Sequence, residues 1–360
     1  MKRALIILLI LGVAGGLFAQ DLVWTGGVTT GAFIELGDDY DDPIIYADDD
    51  DSGDAVHGWI HAKYDAGDWG LQVGSVASIE SGDGAGAVFY DAHGWIKFLS
   101  GMLTVRGGLI DPAVWNTGGE IDENVSSGLG IRVEVEPIDG LNIGAFFSYV
   151  DGLSGDSAAQ TGDKIADFFQ ETAIGFSYTA DFFNVSAALK LFSEASNIDI
   201  RDKKTAAGDT DMKLIFALGF PNIAGINILV DGAVYGLGDF SNVGELVVYE
   251  EFDFGVTNAL KVGILLGEKY AGNSDVGFYY FLAKPWVEFG VNDNVTVGAS
   301  VPITMEKADS LGFASLGVNL WAKYAIGGAW LKGGYGFMMR TADYGDSLNH
   351  YVQIVFGFEF

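Results

Sequence analysis

The sequence has no cysteine, few basic residues and no long apolar run beyond its first segment. Without cysteine, the fold cannot rest on disulfides, and lipid attachment through an N-terminal cysteine is excluded. The 19 Lys and Arg residues face 49 Asp and Glu residues, and the net charge of −30 argues against nucleic-acid binding, which needs a basic surface. After the N-terminal segment nothing approaches the roughly 18 apolar residues of a membrane helix, so no helical span is predicted.

The N-terminal segment has the layout of a secretory signal peptide. Lys2 and Arg3 precede an apolar stretch from Ala4 to Phe18, and the polar chain begins after Ala19. We predict a cleaved signal peptide at 1–19 and a single domain at 20–360. The alternative is a buried N-terminal helix.

An alternation of apolar and polar residues with period two runs through the remaining chain. In the last ten residues, alternate positions from Val352 to Phe360 are apolar, whereas Gln353 and Glu359 lie between them. Successive side chains of a strand point to opposite faces, and such alternation is typical of a barrel with an apolar outside and a polar inside. It predicts about eighteen strands, with sixteen as the alternative, near 22–36, 55–66, 69–80, 86–99, 102–110, 125–136, 140–150, 171–180, 182–194, 211–220, 224–236, 245–255, 259–269, 277–290, 294–303, 311–325, 328–340 and 348–360.

The predicted strands are joined alternately by short and long connections. The short ones, such as Pro221-Asn222-Ile223, mostly contain residues that suit tight turns. The long ones include 37–54, 111–124 and 151–170, and this alternation is typical of transmembrane barrels. Five of the six prolines lie in or beside connections. Pro285 lies inside a predicted strand, where we expect a bulge.

These patterns predict an all-β fold, a closed antiparallel transmembrane β-barrel. Lipid offers no hydrogen-bond partners, so the sheet must close on itself. A closure of this many strands is too wide for side chains to fill and leaves an aqueous channel. The sequence has no nucleophile elbow, phosphate loop or metalloprotease motif. We therefore predict a protein that is not an enzyme and needs no cofactor.

The signal peptide, the strand rhythm and the terminal segment 351–360 together resemble the Gram-negative-type outer-membrane porins. The acidic loops and glycine-rich strands resemble divergent porins of spirochaete-like bacteria. The resemblance implies a location in the bacterial outer membrane and a water-filled channel for passive diffusion of small hydrophilic solutes and ions. It also implies contact with lipid and with the barrel-assembly machinery, and assembly as a homotrimer is one expectation.

Two groups of residues gain a role from this resemblance. Porins commonly end in an aromatic residue that the assembly machinery recognises, which implies an assembly signal at Phe356, Phe358 and Phe360. The third long loop of porins often narrows the channel. Here that loop would direct acids towards the lumen, namely Asp111, Glu120, Asp122 and Glu123. The alternative is an ordinary outer loop with solvated charges.

Most basic residues alternate with apolar neighbours and are predicted to face the lumen, because a cation facing lipid is costly. The predicted pore-lining set is Lys63, Lys97, Arg106, Arg132, Lys261, Lys323, Lys332 and Arg340. Such a basic wall could orient polar solutes opposite acidic loops, or could simply solvate the lumen.

Three further features leave alternatives open. The acidic run of the first loop favours a solvated loop, with calcium at Asp48, Asp50 and Asp54 as a weaker hypothesis. His57, His61 and His93 are predicted lumen residues rather than metal ligands. Trp59, Trp95, Trp286 and Trp321 could form a sugar-stacking track, pack in the wall, or belong to an interfacial belt. The alternative functions are therefore a sugar-type channel and a surface adhesin or structural barrel that uses the acidic outer loops, residues 37–54 above all.

Overall fold

The computed structural model describes residues 22–37, 44–46, 54–80, 84–110, 114–116, 121, 125, 128–148, 172–194, 210–237, 245–271, 277–307, 311–341 and 347–360. The predicted signal peptide at 1–19 lies outside these ranges. Within them, no helix is long and apolar enough to cross a membrane.

The chain folds into an antiparallel sheet whose eighteen wall strands we number in chain order. They are β1 Leu22–Gly37, β2 Asp54–Asp65, β3 Trp69–Glu80, β4 Gly84–Phe98, β5 Leu103–Ile110, β6 Gly128–Ile138, β7 Leu141–Ser148, β8 Ala173–Thr179, β9 Asn184–Glu194, β10 Thr210–Ile223, β11 Ile226–Tyr235, β12 Glu245–Gly255, β13 Leu260–Ala271, β14 Gly277–Asn292, β15 in two segments (Val295–Ser300 and Ile303–Lys307), β16 Leu311–Ile326, β17 Ala329–Arg340 and β18 Ser347–Glu359. A further short strand, Ile44–Tyr46, pairs with Phe33–Glu35 of β1.

The sheet closes because the last strand pairs with the first. The register of β1 and β18 runs from Gly27 opposite Glu359 to Gly37 opposite Asn349, and β1 also pairs with β2. The predicted closed barrel is thus confirmed, with eighteen strands rather than sixteen. Among the described strands, this pairing closes the sheet, so the first and last strands present no open edge to lipid.

The two faces of the wall differ as the alternation predicts. One face exposes large apolar side chains, for example Leu71, Ile96 and Ile354, which are 54%, 52% and 57% exposed. We call this the outer face. The opposite, inner face includes most of the charged residues of the strands, such as Lys63 opposite Gln72.

The prediction of a bulge at Pro285 is wrong. Its register with Ile264 of β13 is regular, and the irregularity lies in β15, which breaks at Val301 and Pro302. The N–H and C=O of a strand residue point to the same neighbour. Since the Pro285 carbonyl accepts a hydrogen bond from Val301 N at 3.0 Å, the missing N–H of Pro285 faces the break in β15.

The turn expected at residues 221–223 is also displaced. Strand β10 continues to Ile223, and the turn is formed by Ala224 and Gly225. Asn222, with φ of 57°, lies at an irregularity in the pairing. Asn tolerates this left-handed conformation better than most residues, which lets the strand continue past Pro221.

Candidate functional site: the inner wall and the third outer loop

The strand register places all eight predicted pore-lining residues on the inner face. Four of them form cross-strand pairs, Arg106 with Arg132 and Lys323 with Lys332. The other four lie opposite inner-face residues of neighbouring strands: Lys63 opposite Gln72, Lys97 opposite Thr104, Lys261 opposite Glu288 and Arg340 opposite Ser315.

Two of these basic residues share one carboxylate. Glu134 Oε1 accepts hydrogen bonds from Arg106 Nε at 2.8 Å and from Arg132 Nε at 2.6 Å. The side chain of Arg132 is fully buried and that of Glu134 is 4% exposed. Asn142 Nδ2 donates to the second oxygen of Glu134 at 3.3 Å. This part of the inner wall is therefore a packed ion cluster with little exposed positive charge.

A second buried group lies on the neighbouring strands. His93 Nδ1 lies 2.6 Å from Asp91 Oδ1, and Gln72 donates to the other oxygen of Asp91 at 2.5 Å. His61 instead contacts the hydroxyl of Tyr90. The described residues contain no group of three or more metal-binding side chains.

Trp95 is a packing residue of this wall. It is 4% exposed, and Lys63 Nζ and Arg106 Cζ lie over its ring, 5.6 Å and 5.5 Å from the ring centre. A Cβ added at Gly70 would lie 2.1 Å from the indole, so the ring fills the space above this glycine. With cations over the ring, Trp95 offers no open face to a sugar.

The third outer loop docks onto the inner face of the barrel. Trp115 is fully buried, and its Nε1 donates to Asn142 Oδ1 on β7 at 2.9 Å. Its ring occupies the space above Gly144 and Gly175, where added Cβ atoms would lie 2.9 and 2.5 Å from it. The loop therefore touches β7 and β8.

The loop reaches further round the wall beyond Trp115. The Asn116 carbonyl accepts a hydrogen bond from Ser186 Oγ of β9 at 2.7 Å. Ile121 N donates to Asp231 Oδ2 of β11 at 3.1 Å, and Val125 is 3% exposed. The described parts of the loop thus contact the wall at two more strands, β9 and β11, beyond the contacts of Trp115 with β7 and β8.

An apolar cluster explains this docking. Its buried members are Ile110, Trp115, Val125, Phe146, Ala173, Ala188, Ile215 and Ala233. The alanines and Ile215 occupy inner-face positions of β8 to β11, which would be polar if they faced water. Sequence reasoning missed this exception, although the run of small and apolar inner residues in four consecutive strands was a readable signal.

The opposite part of the inner wall contains a recess of about 430 Å³. Aromatic, basic, acidic and amide side chains surround it. Its lining includes Lys284, Trp286, Glu288, Ser300, Asn319, Trp321, Lys332, Gly334, Tyr351 and Gln353. The Trp286 and Trp321 rings fill the space above Gly263 and Gly298. The Tyr351 hydroxyl donates to Asn319 Oδ1.

The remaining predicted residues lie at the strand ends or outside the described ranges. Asp111, Glu120, Asp122, Glu123, Asp48 and Asp50 are outside them, and Asp54 begins β2 opposite Glu80. Phe356 and Phe358 are on the outer face of β18, 48% and 45% exposed. Phe360 N donates to Gly26 O at 2.9 Å, and Gly26 N donates to Phe360 O at 3.1 Å. The last residue therefore extends the junction between β18 and β1, which we call the seam of the barrel.

A closed wall of eighteen antiparallel strands, apolar outside and charged inside, with an outer loop docked within it, is a transmembrane β-barrel fold, and solved outer-membrane proteins have a similar fold. The chain is similar in structure to OccAB3 of Acinetobacter baumannii, with a TM-score of 0.60 at 10% sequence identity. The similarity covers 95% of this chain and 100% of OccAB3. OprD of Pseudomonas aeruginosa is similar to it with a TM-score of 0.56 at 10% identity, over 94% of this chain and 95% of OprD. A loop L8 deletion mutant of OmpT, an outer membrane protein of Vibrio cholerae, is similar with a TM-score of 0.50 at 13% identity, over 94% of this chain and 100% of the OmpT mutant. No protein-family model and no curated protein matches the sequence.

Proposed function

We propose that this barrel is a non-enzymatic porin that carries small hydrophilic solutes and ions by passive diffusion. The docking of Trp115 on the inner wall is the observation that supports this most directly. A wall of this strand number leaves an aqueous lumen, and a loop held against part of it narrows the passage to the remaining part. The Lys323–Lys332 pair and Lys284 line that remaining part.

Cysteine accessibility tests the channel directly, because the chain contains no cysteine of its own. Lys332→Cys places a thiol on the inner face, and Leu331→Cys places one on the outer face, where Leu331 is 47% exposed. In a planar bilayer we expect stepwise conductance from both variants. A charged, water-soluble thiol reagent should reduce the conductance of Lys332→Cys and leave that of Leu331→Cys unchanged. Folded barrels that give no conductance steps would contradict the proposal.

A solute-preferring, sugar-type channel is the second candidate function, and the inner recess favours it. Trp286, Trp321 and Tyr351 supply aromatic surface beside Asn319 and Gln353, and aromatic faces with nearby amides suit the apolar faces and hydroxyls of sugars. Trp95 and Trp330 are less suited, because cations lie over their rings.

Current block by sugars separates the two functions. If the recess binds sugars, oligosaccharides should interrupt the current, and Trp321→Ala should shorten these interruptions. Trp330→Ala is the matched control, because the Lys323 ammonium lies 4.7 Å from the centre of that ring. Interruptions of equal length in wild type and Trp321→Ala would leave a general diffusion pore as the proposed function.

A further inference from the structure

Two pairs of like charges face each other across neighbouring strands of the inner wall. Arg106 of β5 lies opposite Arg132 of β6, and Lys323 of β16 lies opposite Lys332 of β17. Like charges directly opposite each other destabilise a sheet, and two adjacent cations attract an anion. Each pair is therefore expected to have a source of negative charge nearby.

The arginine pair has this negative charge within the wall, whereas the lysine pair does not. Glu134 Oε1 accepts hydrogen bonds from both arginines, at 2.8 and 2.6 Å. Among the described residues, Lys332 has no hydrogen bond or ion pair. Lys323 Nζ lies 4.7 Å from the centre of the Trp330 ring, and an aromatic ring supplies a quadrupole but no net charge. The lysine pair thus lacks the carboxylate that the arginine pair has.

A third lysine without a counter-charge lines the same recess as Lys332. Lys284 of β14 lies opposite Leu265 of β13 and, on its other side, beside the break in β15, and it has no ion pair in the described ranges. Glu288 is the one acid among the described lining residues, and its Oε1 lies 4.0 Å from Lys261 Nζ. Although the net charge of the chain is −30, this part of the lumen is therefore positive.

The recess also offers surface for the ring of a solute. The Trp321 side chain covers Gly298 of the neighbouring strand, where an added Cβ would lie 2.3 Å from the indole, so the indole lies along the wall. Ser300 Oγ accepts a hydrogen bond from Asn319 Nδ2 at 3.4 Å, and the Ser300 O–H has no acceptor among the described residues. An aromatic ring beside a hydroxyl donor suits the ring and the hydroxyl groups of a sugar.

We propose that the recess binds an acidic sugar, whose anionic group lies between the ammonium groups of Lys284 and Lys332 while its ring contacts Trp321. Strands β14 and β17 are three strand spacings apart, about 14 Å, and two flexible lysine side chains can reach an anion from the two sides. An ammonium is a point charge without the planar fork of arginine, so a carboxylate and a phosphate are both suitable. The inference rests on the proposed function and deepens it by naming the solute class.

Isothermal titration calorimetry of the folded barrel in detergent micelles tests the site without any measurement of conductance. Glucuronate and glucose 6-phosphate have the ring of glucose and one anionic group. Both should bind about tenfold more tightly than glucose, a typical factor for a hydrogen bond to a charged group. Tighter binding of one of them alone supports the proposal and identifies the anionic group. Equal affinity for glucose and both acidic sugars would overturn it.

Lysine substitutions locate the bound anion. Lys332→Gln removes the charge and should weaken binding of the tighter acidic sugar about tenfold without changing that of glucose, whereas Lys332→Arg keeps the charge and should retain the binding. Lys97→Gln is the matched control, because Lys97 is also an inner-face lysine but lies on β4, opposite Thr104. Unchanged binding in Lys332→Gln would overturn the proposal. So would an equal loss in Lys97→Gln, which would point to the charge of the lumen in general.

Bilayer recordings separate this inference from the channel itself. The acidic sugar should interrupt the wild-type current at lower concentrations than glucose, and a current that it leaves unaffected would overturn the assignment of the bound sugar to the recess. Barrels that bind the acidic sugar but conduct no ions would overturn the channel and leave the binding site. Barrels that conduct ions but bind glucose and the acidic sugars equally would overturn the site alone.

Discussion

Trp115 and Asn142 join the third outer loop to the wall of the barrel. The indole Nε1 of Trp115 donates to Asn142 Oδ1 at 2.9 Å, and Asn142 also donates to Glu134 at 3.3 Å. The loop is thus connected to the ion cluster of Arg106, Arg132 and Glu134 through a single amide. The anchor of the loop and the charged part of the wall form one hydrogen-bonded unit.

The first prediction concerns Trp115→Ala. Truncation of a buried Trp typically costs about 3–5 kcal/mol, and here most of that loss should fall on the docking of the loop, since the barrel strands keep their ladders. We expect larger and noisier single-channel conductance with an unchanged unfolding midpoint of the barrel. Wild-type conductance in this variant would show that the loop does not depend on its Trp anchor.

The second prediction uses two glycines of the wall. A Cβ at Gly175 would lie 2.5 Å from the Trp115 ring, whereas a Cβ at Gly107 has no other atom within 4 Å. Gly175→Ala should therefore displace the indole and increase conductance in the same direction as Trp115→Ala. Gly107→Ala should behave as wild type in the same bilayer recordings. An increase in both variants would point to a general weakening of the sheet.

The sequence predicted the strands of the wall better than the packing of side chains inside the barrel. The period-two alternation depends on one physical contrast, lipid outside and polar surroundings inside, so strands such as 69–80 and 245–255 coincide with the observed ones. The break in β15 was missed because it lies at Val301 and Pro302, beside Pro285 of the neighbouring strand, whose carbonyl accepts a hydrogen bond from Val301 N. No single-strand pattern contains that information.

The packed parts of the lumen were the least predictable. Arg132 alternates with apolar neighbours just as Lys332 does, yet Arg132 is fully buried in an ion cluster. The difference comes from the partners that the register brings together, Glu134 in the same strand and Arg106 in the neighbouring strand. A linear pattern assigns a face but gives no information on what lies over that face.

The third prediction compares two carboxylates of the inner wall. Glu134→Gln leaves the buried guanidinium of Arg132 without its counter-charge, which typically costs about 3–5 kcal/mol. Glu288→Gln removes only an exposed contact with Lys261 at 4.0 Å, for which about 0–1 kcal/mol is typical. Urea unfolding in detergent micelles should lower the midpoint strongly for Glu134→Gln and barely for Glu288→Gln. Equal midpoints would mean that water reaches the Arg132 cluster.

The last prediction concerns the seam. Phe360 makes two backbone hydrogen bonds to Gly26, and a Cβ at Gly26 would lie 2.7 Å from its ring, so the terminal residue packs directly on the first strand. Deletion of Phe360 removes both bonds and exposes the edge of β1 at the point where the barrel closes. We expect less folded barrel in the outer membrane, measured as the heat-modifiable fraction on a gel. Phe356→Ala is the matched control, because Phe356 is 48% exposed on the outer face of β18 and the substitution keeps the backbone pairing of residue 356 with Thr30 of β1. An equal decrease in both variants would indicate that loss of outer-face apolar surface, and not the seam contact of Phe360, limits assembly.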